Sequence, residues 1–146
     1  MEIKRPRLYR AGKPKDWAIG TAAYDARGIV FIAGSTGRDP NTDVTVRGMK
    51  AQTKVAMEHI KKSLEEFGTS LENILHIWYY LLGPFPHGLL YDQRYIDMWE
   101  TVEEFWKDNC PDFCLDKNPP ADTLLGVECL AYPELLVEIT VVAAIP

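Results

Sequence analysis

Ile29-Val30-Phe31-Ile32-Ala33-Gly34 is a short run of β-branched and aromatic residues closed by a glycine. That composition fits a strand buried in a core, and the closing glycine is a turn signal. The preceding segment, Ala18 to Ala26, is mixed and ends at Arg27-Gly28, so it reads as the first arm of a hairpin whose second arm is 29–33. Gly37-Arg38-Asp39-Pro40-Asn41-Thr42 follows as a loop by composition.

Beyond Gly48 the apolar period lengthens. Thr53, Ala56, Met57, Ile60, Leu64 and Phe67 recur at spacings of three and four with lysines and glutamates between them. This is an amphipathic helix, and Gly68 stands where a helix stops. Ile74 to Leu82 suits a strand covered by a helix. Gly83 to Gly88 is a Pro/Gly loop, and Tyr91, Tyr95, Met98, Val102 and Phe105 mark a second helix running to about Lys107. Cys110 to Pro120 carries three prolines and reads as a loop. Ala121 to Leu130 and Leu135 to Ala144 are the last two strands, divided at Tyr132-Pro133-Glu134.

The order β-β-α-β-α-β-β predicts a two-layer α+β domain, with one sheet and helices on one face. Strands this apolar leave the second face to be covered, which points to an oligomer. A chain of 146 residues fits one domain, 1–146, large enough to bury a core without metal or disulfide staples. No apolar run approaches a membrane span and the first residues contain no apolar signal segment.

The net charge of −5 weighs against broad nucleic-acid binding. The exception is the basic segment 1–15 (Lys4, Arg5, Arg7, Arg10, Lys13, Lys15), read as a solvated N-terminal extension. Cys110, Cys114 and Cys129 are an odd set, which points to free thiols in a reducing, cytoplasmic compartment. The spacing of Cys110 and Cys114 is wrong for a zinc knuckle and no partner pair exists, so no metal is expected.

Three segments carry a resemblance to a known family. They are Ile29 to Gly34 followed by Asp39-Pro40, then Ala51-Gln52-Thr53 running into Gly68-Thr69-Ser70-Leu71-Glu72-Asn73-Ile74, and Leu130-Ala131-Tyr132-Pro133 with Leu136-Val137-Glu138-Ile139. In this order they resemble the RidA/YjgF/UK114 family. The resemblance implies a chorismate-mutase-like α+β fold and a homotrimer whose free sheet faces meet inside a central barrel, with clefts between subunits. It also implies hydrolysis of imines and enamines without metal or organic cofactor, with small molecules as substrates. A guanidinium would hold a substrate carboxylate and a glutamate would orient water or carry protons.

The chain departs from that pattern where the chemistry would sit. The family's Pro-Ala-Arg-Ser/Thr reads Pro120-Ala121-Asp122-Thr123, a charge reversal, whereas Glu138 matches the family glutamate. A carboxylate does not hold a substrate carboxylate. Trp99 stands where relatives offer an asparagine, and Gly20-Thr21-Ala22-Ala23 replaces a Gly-Pro-Tyr-Ser type segment.

Asp122 and Glu138 in one cleft would repel, raising at least one pKa and giving one general acid and one general base, or a seat for a cationic amine. The plain alternative is that Asp122 pairs with a basic residue or caps a loop. Thr123 and Cys129 fall near the cleft in the family pattern, Cys129 as a small buried residue before a reactive thiol. Arg38 is a candidate to supply the missing cation. Trp99 reads as a stacking platform or as core.

The loops Gly83 to Leu90 and Asp108 to Asn118 are longer than in relatives. With Phe85, Pro86, His87 and Phe113 they read as an apolar wall of the site or as surface decoration. Among the other residues, His87 is a loop histidine of low catalytic weight, His59 and His76 read as structural, and Trp78, Tyr79 and Tyr80 as core or interface.

Three functions are carried forward: a RidA-like hydrolase or deaminase acting on a carbon–nitrogen compound, a non-catalytic trimeric ligand-binding or regulatory protein, and an endoribonuclease. The acidic charge weighs against the last.

Overall fold

A computed structural model describes residues 1–113 and 118–146, without the side chains of 15–17. Cys114 and part of the 108–118 loop lie outside the described residues. The elements run β1 (Glu2–Lys4), β2 (Arg7–Arg10), β3 (Lys13–Ala18), β4 (Ala22–Tyr24), β5 (Gly28–Thr36), α1 (Met49–Glu66), β6 (Ile74–Leu82), α2 (Gln93–Asn109), β7 (Ala121–Val127) and β8 (Val137–Ile145).

The main sheet has the order β5-β8-β6-β7. β8 runs antiparallel to both neighbours, while β6 and β7 are parallel across the α2 crossover. The two outer strands, β5 and β7, each leave one edge unpaired within this sheet. The expected α+β class and chorismate-mutase-like layering are what the chain adopts, with both helices on one face.

Alternation along the strands sets that face. Val137, Ile139, Val141 and Ala143 of β8 are buried, as are Ile77, Tyr79 and Leu81 of β6 and Val30 and Ile32 of β5. They meet Ala56, Met57, Ile60 and Leu64 of α1 and Met98, Val102, Phe105 and Trp106 of α2 in one core.

α1 begins at Met49, four residues before its first expected apolar contact, and ends in a Schellman turn. The N–H of Gly68 donates to Glu65 O at 3.0 Å, and that of Thr69 to Leu64 O at 3.0 Å, with Gly68 at φ 70°. Phe67, expected on the buried stripe, is the exposed C-cap residue, because the chain leaves the helix there. α2 is capped by Asp92, whose carboxylate accepts from the N–H and the guanidinium of Arg94, at 2.9 and 2.8 Å. That hydrogen bonding holds the Asp92 carboxyl down to about 2.

Three sequence expectations are corrected. The segment 18–26 does not form a hairpin with 29–33. β4 pairs with β1 instead, and β5 pairs with β8, with Phe31 opposite Val142. β5 is also not buried on both faces: Phe31 is 77% exposed and Ile29 58%. The basic segment 1–15 is paired strand rather than an irregular tail. β2 and β3 form a hairpin through Ala11 and Gly12, both at positive φ, the geometry of a two-residue turn. Arg5 ties this segment down by donating to the carbonyls of Glu72 and Ile74, at 2.7 and 2.9 Å.

Candidate functional site

Glu138 extends from β8 on the face that no helix covers, level with Tyr80 of β6 and Thr36 of β5. The β5–β8 register slips between Ile32 and Ser35, which leaves Ala33 and Gly34 as a bulge. The Glu138 carboxylate lies over that bulge. A Cβ at Gly34 would stand 1.8 Å from Glu138 Oε1, so only glycine leaves room for the carboxylate in this position.

Asp122 is elsewhere. It pairs with Ile77 across β7–β6, and Ile77 points into the helix-covered core, so Asp122 is on the helix side at the open β7 edge. Tyr79 reports the same placement. Its hydroxyl is pushed well above its ordinary range by burial first and by the charge of Asp122 second. Asp122 keeps one side in solvent, and burial of the other pushes its carboxyl above the usual range. Its backbone neighbour Ala121 donates to Thr21 Oγ1 at 3.0 Å, which puts the Gly20–Ala23 segment beside it.

Asp122 and Glu138 therefore do not share a cleft within one chain. They lie on opposite faces, two strands and three residues apart, and the expected mutual repulsion has no basis inside a single copy.

The remaining candidates divide in the same way. Thr123 faces the uncovered side, level with Trp78, and its hydroxyl is 2.9 Å from His76 Nε2. Trp99 packs against the core from α2, edge-on to Tyr79 with ring centroids 6.3 Å apart. Cys129, expected to be buried, is exposed in the segment after β7, while Cys110 is buried, and burial raises its pKa.

Arg38 is already committed. Its guanidinium bonds the carboxylate and carbonyl of Asp43, approaches Glu134 at 3.7 Å and stacks on Tyr132 at 4.2 Å. It fastens the 37–45 loop to the 132–134 turn.

The loop Gly83 to Leu90 lies toward the opposite end of β7 from Asp122 of the same chain. Gly83 donates to Val127 O at the far end of β7, five residues from Asp122 or about 16 Å along a strand. Phe85 packs there over Gly126, held from above by the Arg94 guanidinium at 4.1 Å, and His87 is exposed. A cavity of about 490 Å³ opens under this loop, lined by Phe85, Leu89, Val127 and Glu128 among others.

The sequence reading missed a second cleft, of about 540 Å³, between the open edge of β5 and α1. Residues 31–36 form one wall, including Gly34 beneath Glu138, and His59, Lys62, Ser63 and Phe67 form the other. No local signal marks it, because Lys62 and Ser63 occupy ordinary polar positions between Ile60 and Leu64 of the helix pattern.

No helix among the described residues is long and apolar enough to cross a membrane, and no cluster of three or more metal-ligating side chains occurs among them.

A sequence model described as endoribonuclease L-PSP matches residues 20–145. A RutC family protein of Pyrococcus abyssi is 32% identical over 130 residues, covering 87% of this chain and 96% of the relative. A second RutC family protein, from Pyrococcus horikoshii, is 28% identical over 130 residues. Among solved structures, YyfB of Yersinia pestis, described as a Rid family protein of unknown function, superimposes with a TM-score of 0.68 at 22% identity, covering 88% of this chain and 86% of that one. Escherichia coli TdcF, solved with bound serine, gives 0.67 at 15% identity, covering 89% and 88%. Matched over nearly its whole length in sequence and in fold, the chain belongs to the endoribonuclease L-PSP family, the RidA/YjgF/UK114 proteins that its strand, helix and C-terminal segments resemble.

Proposed function

We propose that the protein is a cofactor-independent hydrolase or deaminase that acts on an imine, enamine or related carbon–nitrogen compound, in clefts completed by further copies of the chain. The observation that carries this reading is the Glu138 carboxylate, seated over the Gly34 bulge beside an open cleft. Such a carboxylate is placed to take a proton from water. β5 and β7 are the two unpaired edges of the sheet, and a homotrimer that sets one copy's β7 edge against the next copy's cleft between β5 and α1 carries Asp122 of that copy toward the strand edge where Glu138 lies over Gly34.

The chemistry then needs only these groups. Glu138 accepts a proton as water adds to the C=N carbon, forming a carbinolamine. Asp122, held protonated to higher pH than an ordinary aspartate, donates to the leaving nitrogen. Glu138 returns its proton to the same nitrogen, so the C–N bond breaks with ammonia as the leaving group, and the carbinol hydroxyl gives its proton back to Asp122 as the carbonyl forms. The substrate is neutral or cationic at the end that meets Asp122.

Ammonia release from imines generated in solution, measured against the spontaneous rate, tests the reading. Asp122→Ala is expected to lower the enzymatic rate at least a hundredfold with the assembly intact by sedimentation, in keeping with the usual worth of a general acid. Full activity in that variant removes Asp122 from the reaction.

A further inference from the structure

The cleft at the β5 edge holds a cation without a use. Lys62 lines it from α1 and has no carboxylate within ion-pair distance among the described residues, whereas the adjacent Lys61 is paired with Glu65 at 2.8 Å. Beside it, His59 presents a ring nitrogen, Nε2, that is covered by protein yet has no hydrogen-bond partner among the described residues. Ser63 adds a hydroxyl to the same wall. Across the cleft, β5 is bonded to β8 on one side only, and its bulge at Ala33 and Gly34 stands outside that ladder.

A lone ammonium, an unsatisfied imidazole nitrogen and a hydroxyl line one space. Such a set suits an anion of carboxylate size, which accepts several hydrogen bonds at once. Phe31 and Phe67, both exposed, give the same cleft an apolar border for a short hydrocarbon part.

We propose that Lys62, with His59 and Ser63 beside it, is the carboxylate-binding subsite of this cleft. The anchor for a ligand's anionic end thus stands on α1 and not on β7, where Asp122 offers no cation. This deepens the function proposed above: the substrate is a small carboxylate whose carbon–nitrogen end lies toward Glu138.

The test separates the two readings by measuring binding apart from turnover. Propionate and its neutral counterpart propionamide are titrated into the full chain and followed by amide chemical shifts of residues 31–36 and 59–63. Propionate is expected to bind more tightly than propionamide. Lys62→Gln should weaken propionate about tenfold, the lower range for a charge-assisted hydrogen bond, and leave propionamide unchanged. Lys62→Arg should restore most of the affinity, and Lys61→Gln should alter neither.

Equal affinity of the two probes, or equal effects of Lys61→Gln and Lys62→Gln, overturns the subsite. Binding that follows Lys62 while no imine is hydrolysed keeps the subsite and removes the deaminase reading. Hydrolysis of carboxylate-bearing imines that is indifferent to Lys62→Gln does the reverse.

Discussion

Gln52 spends its whole side chain at a junction of three segments. Its amide nitrogen donates to Val46 O and Glu134 O, both at 3.0 Å, and its oxygen accepts from the N–H of Leu136 at 2.8 Å. The residue is 1% exposed, so these backbone groups have no water to turn to if the amide is lost. Gln52→Ala is therefore expected to destabilise the fold by roughly 3–5 kcal/mol, several unsatisfied buried groups at once, read as a lowered denaturant midpoint with an unchanged slope. A loss under 1 kcal/mol would mean that water replaces the amide.

The Ala51-Gln52-Thr53 motif is thus legible in the sequence as a family mark, but its meaning, a clasp on the loop before α1 and the turn before β8, is not. The same limit applies at the site. Glu138 was identified from its segment alone. Its separation from Asp122 was not, because the face of each residue depends on pairings with β6, where Ile77 meets Asp122 and Tyr80 meets Glu138. Residues 77 and 80 point to opposite faces, and nothing local to 122 or 138 states that register.

At the scale of elements, local signals and long-range pairing part company. Both helices announced themselves through three- and four-residue spacing, because an amphipathic stripe is written within one turn of chain. Gly68 announced the end of α1 for an equally local reason, since its φ of 70° is hard for any residue with a Cβ. Space is not the obstacle there, as a Cβ at Gly68 would meet nothing within 4 Å. Gly68→Ala is then a clean probe of backbone strain. It is expected to cost about 1–2 kcal/mol and to lower Tm by several degrees without altering the core. An unchanged Tm would show that α1 can end in another way.

The strand partners were illegible by contrast. The 18–26 and 29–33 segments are neighbours in sequence and look like a hairpin, yet β5 finds its partner more than a hundred residues away in β8. The N-terminal strands were hidden by their charge. Arg7-Leu8-Tyr9-Arg10 sets only two apolar or aromatic residues between arginines, and its pairing runs through the Ala11-Gly12 turn.

At the scale of the molecule, the uncovered sheet face is what a single chain leaves unfinished. Phe31 and Leu125 stand on it at 77% and 41% exposed, with Trp78, Tyr80 and Val142 between them, all on the side away from α1 and α2. Large exposed apolar patches mark interaction surfaces, and a sheet with both outer edges unpaired has edges to protect as well. The homotrimer proposed above would answer both needs, burying the faces inward and covering the β5 and β7 edges.

If that is the assembly, the native protein sediments at three times the chain mass of 16.6 kDa. A charge on the face is then repeated around a closed axis. Leu125→Glu places three carboxylates in that interior, where like charges repel and desolvation opposes each of them. That variant is expected to raise the concentration for half-dissociation at least tenfold by sedimentation equilibrium, while far-ultraviolet circular dichroism shows the α+β fold retained. Because the proposed cleft takes Asp122 from one copy and Glu138 from another, its activity should fall in step with the fraction of trimer and return at high protein concentration. Activity that persists in a monomeric Leu125→Glu chain would place the whole reaction within one copy, and Glu138 would then have to act without Asp122.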